Sequence, residues 1–193
     1  MDGRPPLVLA SASPRRRALL EQIRLPAGVI EAAAVNETPL AGEAPGALAQ
    51  RLAEAKAACV AARHGDAFVL GADTVVAVGR RVLGKPRDRG DAEACLRLLS
   101  GKSHRVYGGV CVIAPGGVSR SRLVTTRLAF KRLEEREIQA YLESGEWQGK
   151  AGAYAIQGVA ALYVRHLQGS YSNVVGLPLF ETGALLKGLG YGP

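Results

Sequence analysis

The sequence has few aromatic residues, which bears on whether it binds nucleic acid. Phenylalanine, tryptophan and tyrosine together make up 5% of the 193 residues. Modules that bind single-stranded nucleic acid stack bases on such side chains, and nothing in the chain resembles an RNP motif, a zinc finger or a basic recognition helix. Most of the basic residues between positions 120 and 132 are therefore interpreted as the solvated face of a strand, and nucleic acid is not an expected partner.

Long apolar runs are also absent. No run approaches the ~18 to 20 residues that a membrane-spanning helix needs. The first residues lack the basic region, the apolar core and the small-residue cleavage site of a signal peptide. We therefore expect a cytoplasmic protein without a membrane partner.

Cysteine is scarce, which limits the covalent and metal chemistry of the chain. Cys59, Cys95 and Cys111 are odd in number, lie far apart and form no CxxC pair, and only three histidines accompany them. This pattern argues against both a disulfide framework and a zinc site.

The residues that are present indicate a folded domain with an anionic partner. Hydrophobic residues make up 48% and charged residues 22%, so a sizeable core is expected, and the length suits one domain, or two tightly joined lobes, over residues 1–193. Lysine and arginine number 25 against 17 acidic residues, a net charge of +8. Charge alone leaves three partners open: nucleic acid, a membrane surface or a small phosphorylated ligand.

Short apolar strands alternate with helical stretches, which is typical of an α/β fold. Apolar residues are nearly continuous from 68 to 78, as in a central strand covered on both faces. The predicted strands are 7–10, a strand-like segment at 29–35, 68–78, 82–83, 104–114, 118–130 and 160–165. The predicted helices span 13–24, 45–63, 88–100 and 134–144, with a last helix starting near 173.

The first helix begins with three positive charges. Ser13 and Pro14 are the predicted N-cap and first helical residue, and 15–17 are all arginine, at the end where the helix dipole is already positive. A polyphosphate could bind here. Its ligands would be the hydroxyls of Ser11 and Ser13, the guanidinium groups of Arg15 and Arg16, and free backbone N–H groups. The alternative is a solvated basic turn capped by Ser13. The glycines and Lys-Ser/Thr of a P-loop are missing.

Asp73 is the only charge in the apolar run from 68 to 78. A buried carboxylate without a partner is costly, so we expect a cation nearby. The alternative is a turn at the end of the strand with Asp73 in water. Functionally, Asp73 could bind a divalent metal or act as a general base towards water.

Two lysines and a second carboxylate are weaker candidates. Lys56 shares a helix face with Leu52 and the apolar seam, and Lys85 lies in a loop between glycine and proline. A lysine in either place is ordinarily solvated at its tip. Glu37, in a polar loop, is also expected to be solvated, although with Asp73 it could help to hold Mg²⁺.

Gln157 follows a glycine-rich stretch. Its amide offers a donor and an acceptor, enough to recognise the edge of a nucleobase. The alternative is an amide that satisfies the backbone of its own loop.

Eight short motifs, in order between residues 7 and 187, together resemble the Maf family of nucleoside triphosphate pyrophosphatases. They are Leu9-Ala10-Ser11-Ala12-Ser13-Pro14-Arg15-Arg16, Ala55-Lys56-Ala57, Gly71-Ala72-Asp73-Thr74-Val75-Val76, Gly84-Lys85-Pro86, Ser100-Gly101-Lys102-Ser103-His104, Lys150-Ala151-Gly152-Ala153-Tyr154, Ile156-Gln157-Gly158 and Gly169-Ser170-Tyr171-Ser172-Asn173-Val174-Val175-Gly176-Leu177-Pro178.

The resemblance implies a Maf-type, inosine-triphosphatase-like α/β fold, in which two lobes flank a central cleft on a long, mixed, twisted sheet. It implies hydrolysis of a nucleoside triphosphate that depends on Mg²⁺ or Mn²⁺ and releases pyrophosphate. The motifs at 156–158 and 169–172 are similar to the branch that prefers dTTP and UTP. By the same resemblance Asp73 is the catalytic base, and Arg15, Thr74 and Gln157 shape substrate choice. We then expect Arg15, Arg16, Lys56 and Lys85 to stabilise the charge of the bound triphosphate. A homodimer would also be in keeping with it.

Two departures and three alternatives accompany the resemblance. Gly108 stands where a threonine is usual, and Ala155 where glycine or aspartate is expected. The target could be a modified pyrimidine triphosphate, or the chain could be a 7-methyl-GTP-type pyrophosphatase of the same family. From another class, the chain could be a nucleotide-sensing or nucleic-acid-binding regulator of cell division and septum formation.

Overall fold

A computed structural model describes residues 5–191, and its seven-stranded mixed sheet with flanking helices confirms the α/β prediction. The strands are β1 (Leu7–Leu9), β2 (Val29–Ile30), β3 (Phe68–Val78), β4 (Arg81–Leu83), β5 (Ser103–Ile113), β6 (Ser119–Phe130) and β7 (Val164–Gln168). The helices are α1 (Pro14–Gln22), α2 (Pro45–Ala61), α3 (Arg89–Leu99), α4 (Glu135–Ser144), α5 (Tyr171–Val175) and α6 (Leu179–Gly188). Short 3-10 helices occupy Ala151–Ala153 and Val159–Tyr163.

The sheet is built around β3. Its strand order is β2-β1-β3-β5-β6-β7, with β4 also pairing with β3. β1 runs parallel to β2 and β3, whereas β3, β5, β6 and β7 pair antiparallel in sequence. Most of β3 is buried, as its continuous apolar sequence predicted. The chain therefore places Asp73, opposite Gly109 of β5, in the middle of the sheet.

Two glycines let α2 lie directly against the sheet. A Cβ atom at Gly71 would approach the Ala53 carbonyl oxygen to 2.3 Å, and one at Gly109 would approach the Ala49 carbonyl oxygen to 2.1 Å. No side chain fits at either position without a shift of the helix backbone. This close packing sets the position of Lys56 above β3.

The other face of the sheet carries the larger apolar core, which includes a group of packed aromatic rings. His104 lies within it, 2% exposed, with Nε2 2.8 Å from the Tyr154 hydroxyl and its ring edge-on to Phe130. Burial lowers the pKa of His104 to about 4. His104 is therefore neutral near pH 7 and acts as part of the core.

The structure corrects the sequence prediction in three places. Of the predicted strand 160–165, residues 160–163 form part of a 3-10 helix instead, because Ala160 and Tyr163 are buried three residues apart, the spacing of one 3-10 turn, and β7 begins only at Val164. The last helix is divided into α5 and α6, since Gly176 has a φ of 141° and Pro178 follows. Of the segment 29–35, only Val29–Ile30 pairs with the sheet.

The structure also bears on the expectations about cysteine and about the membrane. The three cysteines are all free thiols. Over residues 5–191, no helix is both long and apolar enough to cross a membrane.

Candidate active site

One cavity of about 840 Å³ brings together all the residues singled out in the sequence. Its walls come from the end of β1 and the start of α1, from α2, the middle of β3, the loop after β4, the loop from 148 to 157 and the end of α5. All ten candidate site residues are among those that line it: Ser11, Ser13, Arg15, Arg16, Glu37, Lys56, Asp73, Thr74, Lys85 and Gln157.

At the centre of the cavity wall, one lysine contacts two carboxylates. Lys56 Nζ lies 2.6 Å from Asp73 Oδ1 and 2.6 Å from Glu37 Oε1. The Lys56 and Asp73 side chains are 10% and 11% exposed, whereas Glu37 is 51% exposed. The expected cation beside Asp73 is thus present, and the alternative of a solvated turn is wrong. The default interpretation of Lys56 as a solvated lysine is also wrong, because its side chain is buried.

Glu37 titrates under the influence of this cluster. Burial alone would raise its pKa, but the hydrogen bond and charge of Lys56 outweigh burial, and the charges of Lys85 and Arg16 add to the effect. The net result is a pKa below the ordinary value. Glu37 is therefore a carboxylate at neutral pH.

Arg16 is fixed in place by three elements. Its Nε donates to the Gly176 carbonyl at 2.9 Å, one terminal nitrogen donates to Ser11 Oγ at 3.0 Å, and the other to Thr74 Oγ1 at 3.3 Å. Burial lowers the pKa of its guanidinium, partly opposed by the charge of Asp73. Arg16 therefore joins α1, β3 and α5 and presents a fixed positive charge to the cavity.

The start of α1 differs from a simple capped turn. Ser13 occupies the N-cap position, but its side chain makes no capping hydrogen bond. Instead, the Ser13 N–H donates to Ser11 Oγ at 3.2 Å. Arg15 Nε donates to the Val175 carbonyl at 3.2 Å, while Arg17 pairs with Glu21 on the surface and does not line the cavity. Two of the three arginines thus face the cavity.

Lys150 is a further cation in the cavity that the sequence argument did not single out. Its ammonium donates to the Gln148 carbonyl at 3.0 Å. Burial, followed by the positive charge of Arg15, lowers the pKa of Lys150. The signal was available in the sequence, because Lys150 is the only basic residue between 145 and 158.

Gln157 is exposed on a loop that other residues hold in shape. The Ala155 N–H donates to the Tyr141 hydroxyl at 3.0 Å, and the Val159 N–H donates to Glu146 Oε2 at 2.9 Å. Within residues 5–191 the Gln157 amide makes no hydrogen bond, so it does not serve to satisfy its own loop backbone. The amide is available to a ligand.

The departure at Gly108 has a structural counterpart in α5. Asn173 donates through Nδ2 to the Val106 carbonyl of β5 at 3.2 Å and to Thr126 Oγ1 of β6 at 3.1 Å. A Cβ atom at Gly108 would come within 1.8 Å of Asn173 Oδ1. Glycine at 108 therefore gives Asn173 room to anchor α5, whose end supplies the carbonyl groups that hold Arg15 and Arg16.

The carboxylates fit a metal ion that is shared with a ligand. Over residues 5–191, no group of three or more histidine, cysteine, aspartate or glutamate residues is placed to hold a metal. Asp73 and Glu37 supply two hard oxygen donors close together, since both contact the same ammonium. Mg²⁺ is commonly held by one or two carboxylates together with substrate phosphates, and this donor set suits that arrangement.

Known proteins resemble the chain along nearly its whole length. A protein from Paramagnetospirillum magneticum named dTTP/UTP pyrophosphatase is 62% identical over 97% of this chain and 98% of its own. One of the same name from Rhodopseudomonas palustris is 54% identical over 99% of this chain and 95% of its own. A solved nucleoside-triphosphatase / dITP/XTP pyrophosphatase from Mycobacterium abscessus is more distant, with a TM-score of 0.41 and 16% identity over 66% of this chain and 73% of that one.

The family assignment follows from the match to a family model. The model described as Maf-like protein matches residues 6–189. Together with the two relatives, this match shows that the chain belongs to the Maf family.

Proposed function

We propose that this protein hydrolyses dTTP and UTP, or a modified pyrimidine triphosphate, to the monophosphate and pyrophosphate. The observation that carries the proposal is the buried Asp73–Lys56 pair, 2.6 Å apart in a cavity whose other charged groups are mostly cations. The relatives named dTTP/UTP pyrophosphatase support it. Their names give no support to the regulator or to the 7-methyl-GTP alternative.

Asp73 is the proposed general base. It accepts a proton from a water molecule as the water oxygen forms a bond to the α-phosphorus. The bond from that phosphorus to the bridging oxygen breaks, and pyrophosphate leaves with the electron pair. Lys56 orients the Asp73 carboxylate and offsets its charge through the 2.6 Å contact.

The cations of the cavity are proposed to bind the triphosphate. Arg15, Arg16, Lys85 and Lys150 line the cavity, and guanidinium and ammonium groups form charge-assisted hydrogen bonds with phosphate oxygens. Ser11 and Ser13 add hydroxyls at the start of α1, and Thr74 lies beside Arg16. A divalent ion, Mg²⁺ or Mn²⁺, would be held by Asp73 and Glu37 and would neutralise phosphate charge.

Gln157 is proposed to select the base. Uracil and thymine present an acceptor, a donor and an acceptor along one edge, which the two groups of an amide can pair. Cytosine lacks the N3 donor and carries an amino group in place of O4, so it would leave polar groups unpaired. The remaining expectations, namely a single cytoplasmic domain over 1–193, a homodimer and no nucleic-acid or membrane partner, are part of the proposal.

Product analysis with purified protein tests this function. UTP or dTTP with Mg²⁺ should yield the monophosphate and pyrophosphate in equal amounts, and Asp73→Asn should abolish turnover. Asp66→Asn, which removes an exposed carboxylate outside the cavity, is the matched control and should keep full activity. Release of orthophosphate without pyrophosphate, or wild-type turnover by Asp73→Asn, would overturn the mechanism.

A further inference from the structure

Lys56 occupies the space between the two carboxylates proposed to bind the metal. Its ammonium lies 2.6 Å from Glu37 Oε1 and 2.6 Å from Asp73 Oδ1. A divalent cation between the same two residues would coordinate oxygens of the same two carboxylates that already contact the ammonium. Because like charges at such short range repel strongly in a poorly hydrated site, the ammonium competes with a metal for the pair.

The charges of the other cavity residues also disfavour metal binding. Five cationic side chains and two carboxylates line it, a surplus of three positive charges. Two of those cations, Lys85 and Arg16, line the same cavity as Glu37. The free protein therefore offers a divalent cation an electropositive environment and two carboxylates that are already paired.

A bound triphosphate changes both conditions. Its phosphate oxygens carry negative charge that offsets the surplus in the cavity, and they give the Lys56 ammonium another partner. They also supply metal ligands that the protein lacks, since residues 5–191 provide no cluster of three metal-binding side chains. Lys56 can separate more easily from Glu37 than from Asp73, because the Glu37 side chain is 51% exposed and water can replace the ammonium there, whereas Asp73 is buried.

We propose that Lys56 keeps the divalent cation out of the free protein, so that the metal enters only with the nucleotide or after it. The inference rests on the proposed function, because it takes Asp73 and Glu37 as the metal-binding carboxylates. It adds a second role for Lys56, which holds the two carboxylates together until the triphosphate arrives. It also sets the order of binding, which the family resemblance leaves open.

Titration with Mn²⁺, followed by water-proton relaxation, tests the order. This measurement distinguishes Mn²⁺ on the slowly tumbling protein from Mn²⁺ on free nucleotide. The wild-type protein is titrated alone and with α,β-imido-UTP, in which an NH group replaces the oxygen that bridges the α and β phosphorus atoms. We expect protein-bound Mn²⁺ to form about ten- to a hundredfold more tightly with the analogue, the usual range of coupling between two ligands.

The variant Lys56→Met tests the role of the ammonium. Methionine has a similar length and no charge, so the free variant should bind Mn²⁺ at least about tenfold more tightly than the free wild type. Lys187→Met is the matched control, since it removes the same charge from an exposed position in α6, away from the cavity. It should bind Mn²⁺ as the wild type does.

The outcomes separate this inference from the function on which it rests. Equal Mn²⁺ affinity of the wild type with and without the analogue would overturn the inference, as would a folded Lys56→Met protein with no gain in affinity. If Lys56→Met does not fold, the two wild-type titrations decide. Pyrophosphate release could still occur in each of those cases. Absence of protein-bound Mn²⁺ while the analogue itself binds would overturn the inference and the Asp73–Glu37 metal site together.

Discussion

The two partners of the buried ion pair should differ in what their loss costs the fold. Lys56→Met leaves the Asp73 carboxylate, 11% exposed, without a cation in direct contact. Asp73→Asn leaves Lys56 still bound to Glu37 at 2.6 Å, and the new amide can accept a hydrogen bond from the ammonium. The structure thus predicts an asymmetry, with the lysine substitution more destabilising than the aspartate substitution.

The magnitudes follow from the burial of the pair. Removing one partner of a buried ion pair typically costs about 3 to 5 kcal/mol. The charge of Arg16, which acts on Asp73 from a distance, places Lys56→Met near the lower end, about 3 kcal/mol. Asp73→Asn loses mainly the charge of one hydrogen bond, about 1 to 2 kcal/mol. For a chain of this length, a loss of 3 kcal/mol corresponds to a fall in Tm of roughly 6 to 12 °C.

Urea unfolding followed by far-UV circular dichroism, in EDTA at pH 7.5, measures the free energy of unfolding of each variant. The double variant Lys56→Met/Asp73→Asn removes both charges and should be more stable than Lys56→Met alone, because no buried carboxylate remains unpaired. Lys187→Met controls for the change in net charge. A greater loss for Asp73→Asn than for Lys56→Met, or a double variant no more stable than Lys56→Met, would refute the reasoning.

Three further predictions concern the base, the phosphates and pH. CTP and dCTP should be poor substrates, and Gln157→Ala should erode the ratio of kcat/KM for UTP over CTP; an unchanged ratio would show that another residue reads the base. Lys150→Met should raise KM for UTP about tenfold with little change in urea stability, and an unaltered KM would place Lys150 outside phosphate binding. Burial lowers the pKa of His104 from 6.5 to about 4. The neutral, buried ring therefore contributes fully to the stability of the fold above about pH 6.5, and this contribution declines as the pH falls towards 4. Stability should therefore fall by about 2 kcal/mol between pH 7 and 5, and His104→Phe should flatten that dependence.

The residues that line the cavity could be predicted from the sequence better than their contacts could. Asp73 had to have a cation nearby, because a charge inside an apolar strand is unstable alone, and this part of the prediction depended only on burial. Which cation it would be depends on where α2 crosses β3, a tertiary contact that helical periodicity does not specify. The glycines at 71 and 109 are the local features that permit the crossing, but only the assembled sheet shows that they face the same helix.

The wrong strand prediction at 160–163 and the omission of Lys150 have a similar origin. Residues 160–165 are mostly apolar and so resemble a strand, but Glu146, which lies fourteen residues before Ala160, accepts the Val159 N–H and favours the 3-10 helix Val159–Tyr163. Lys150 was overlooked because a single lysine in a glycine-rich loop is ordinarily solvated. Glu146 lies thirteen residues from the Val159 N–H that it accepts, and the cavity that Lys150 lines is built from segments distant in sequence, so the folded structure was needed to show both.

The close packing of α2 has a consequence for the chemistry as well as for the fold. The backbone of α2 lies against Gly71, which is two residues before Asp73 on the same face of β3. Only a residue without a side chain at position 71 lets α2 come close enough for the Lys56 ammonium to contact the Asp73 carboxylate. A larger residue at position 71 would lift α2 and lengthen the contact between Lys56 and Asp73, even though residue 71 does not itself line the cavity. The geometry of the proposed base is therefore set by backbone contact between helix and sheet, and the loop that carries Glu37 only adds the second, more exposed carboxylate.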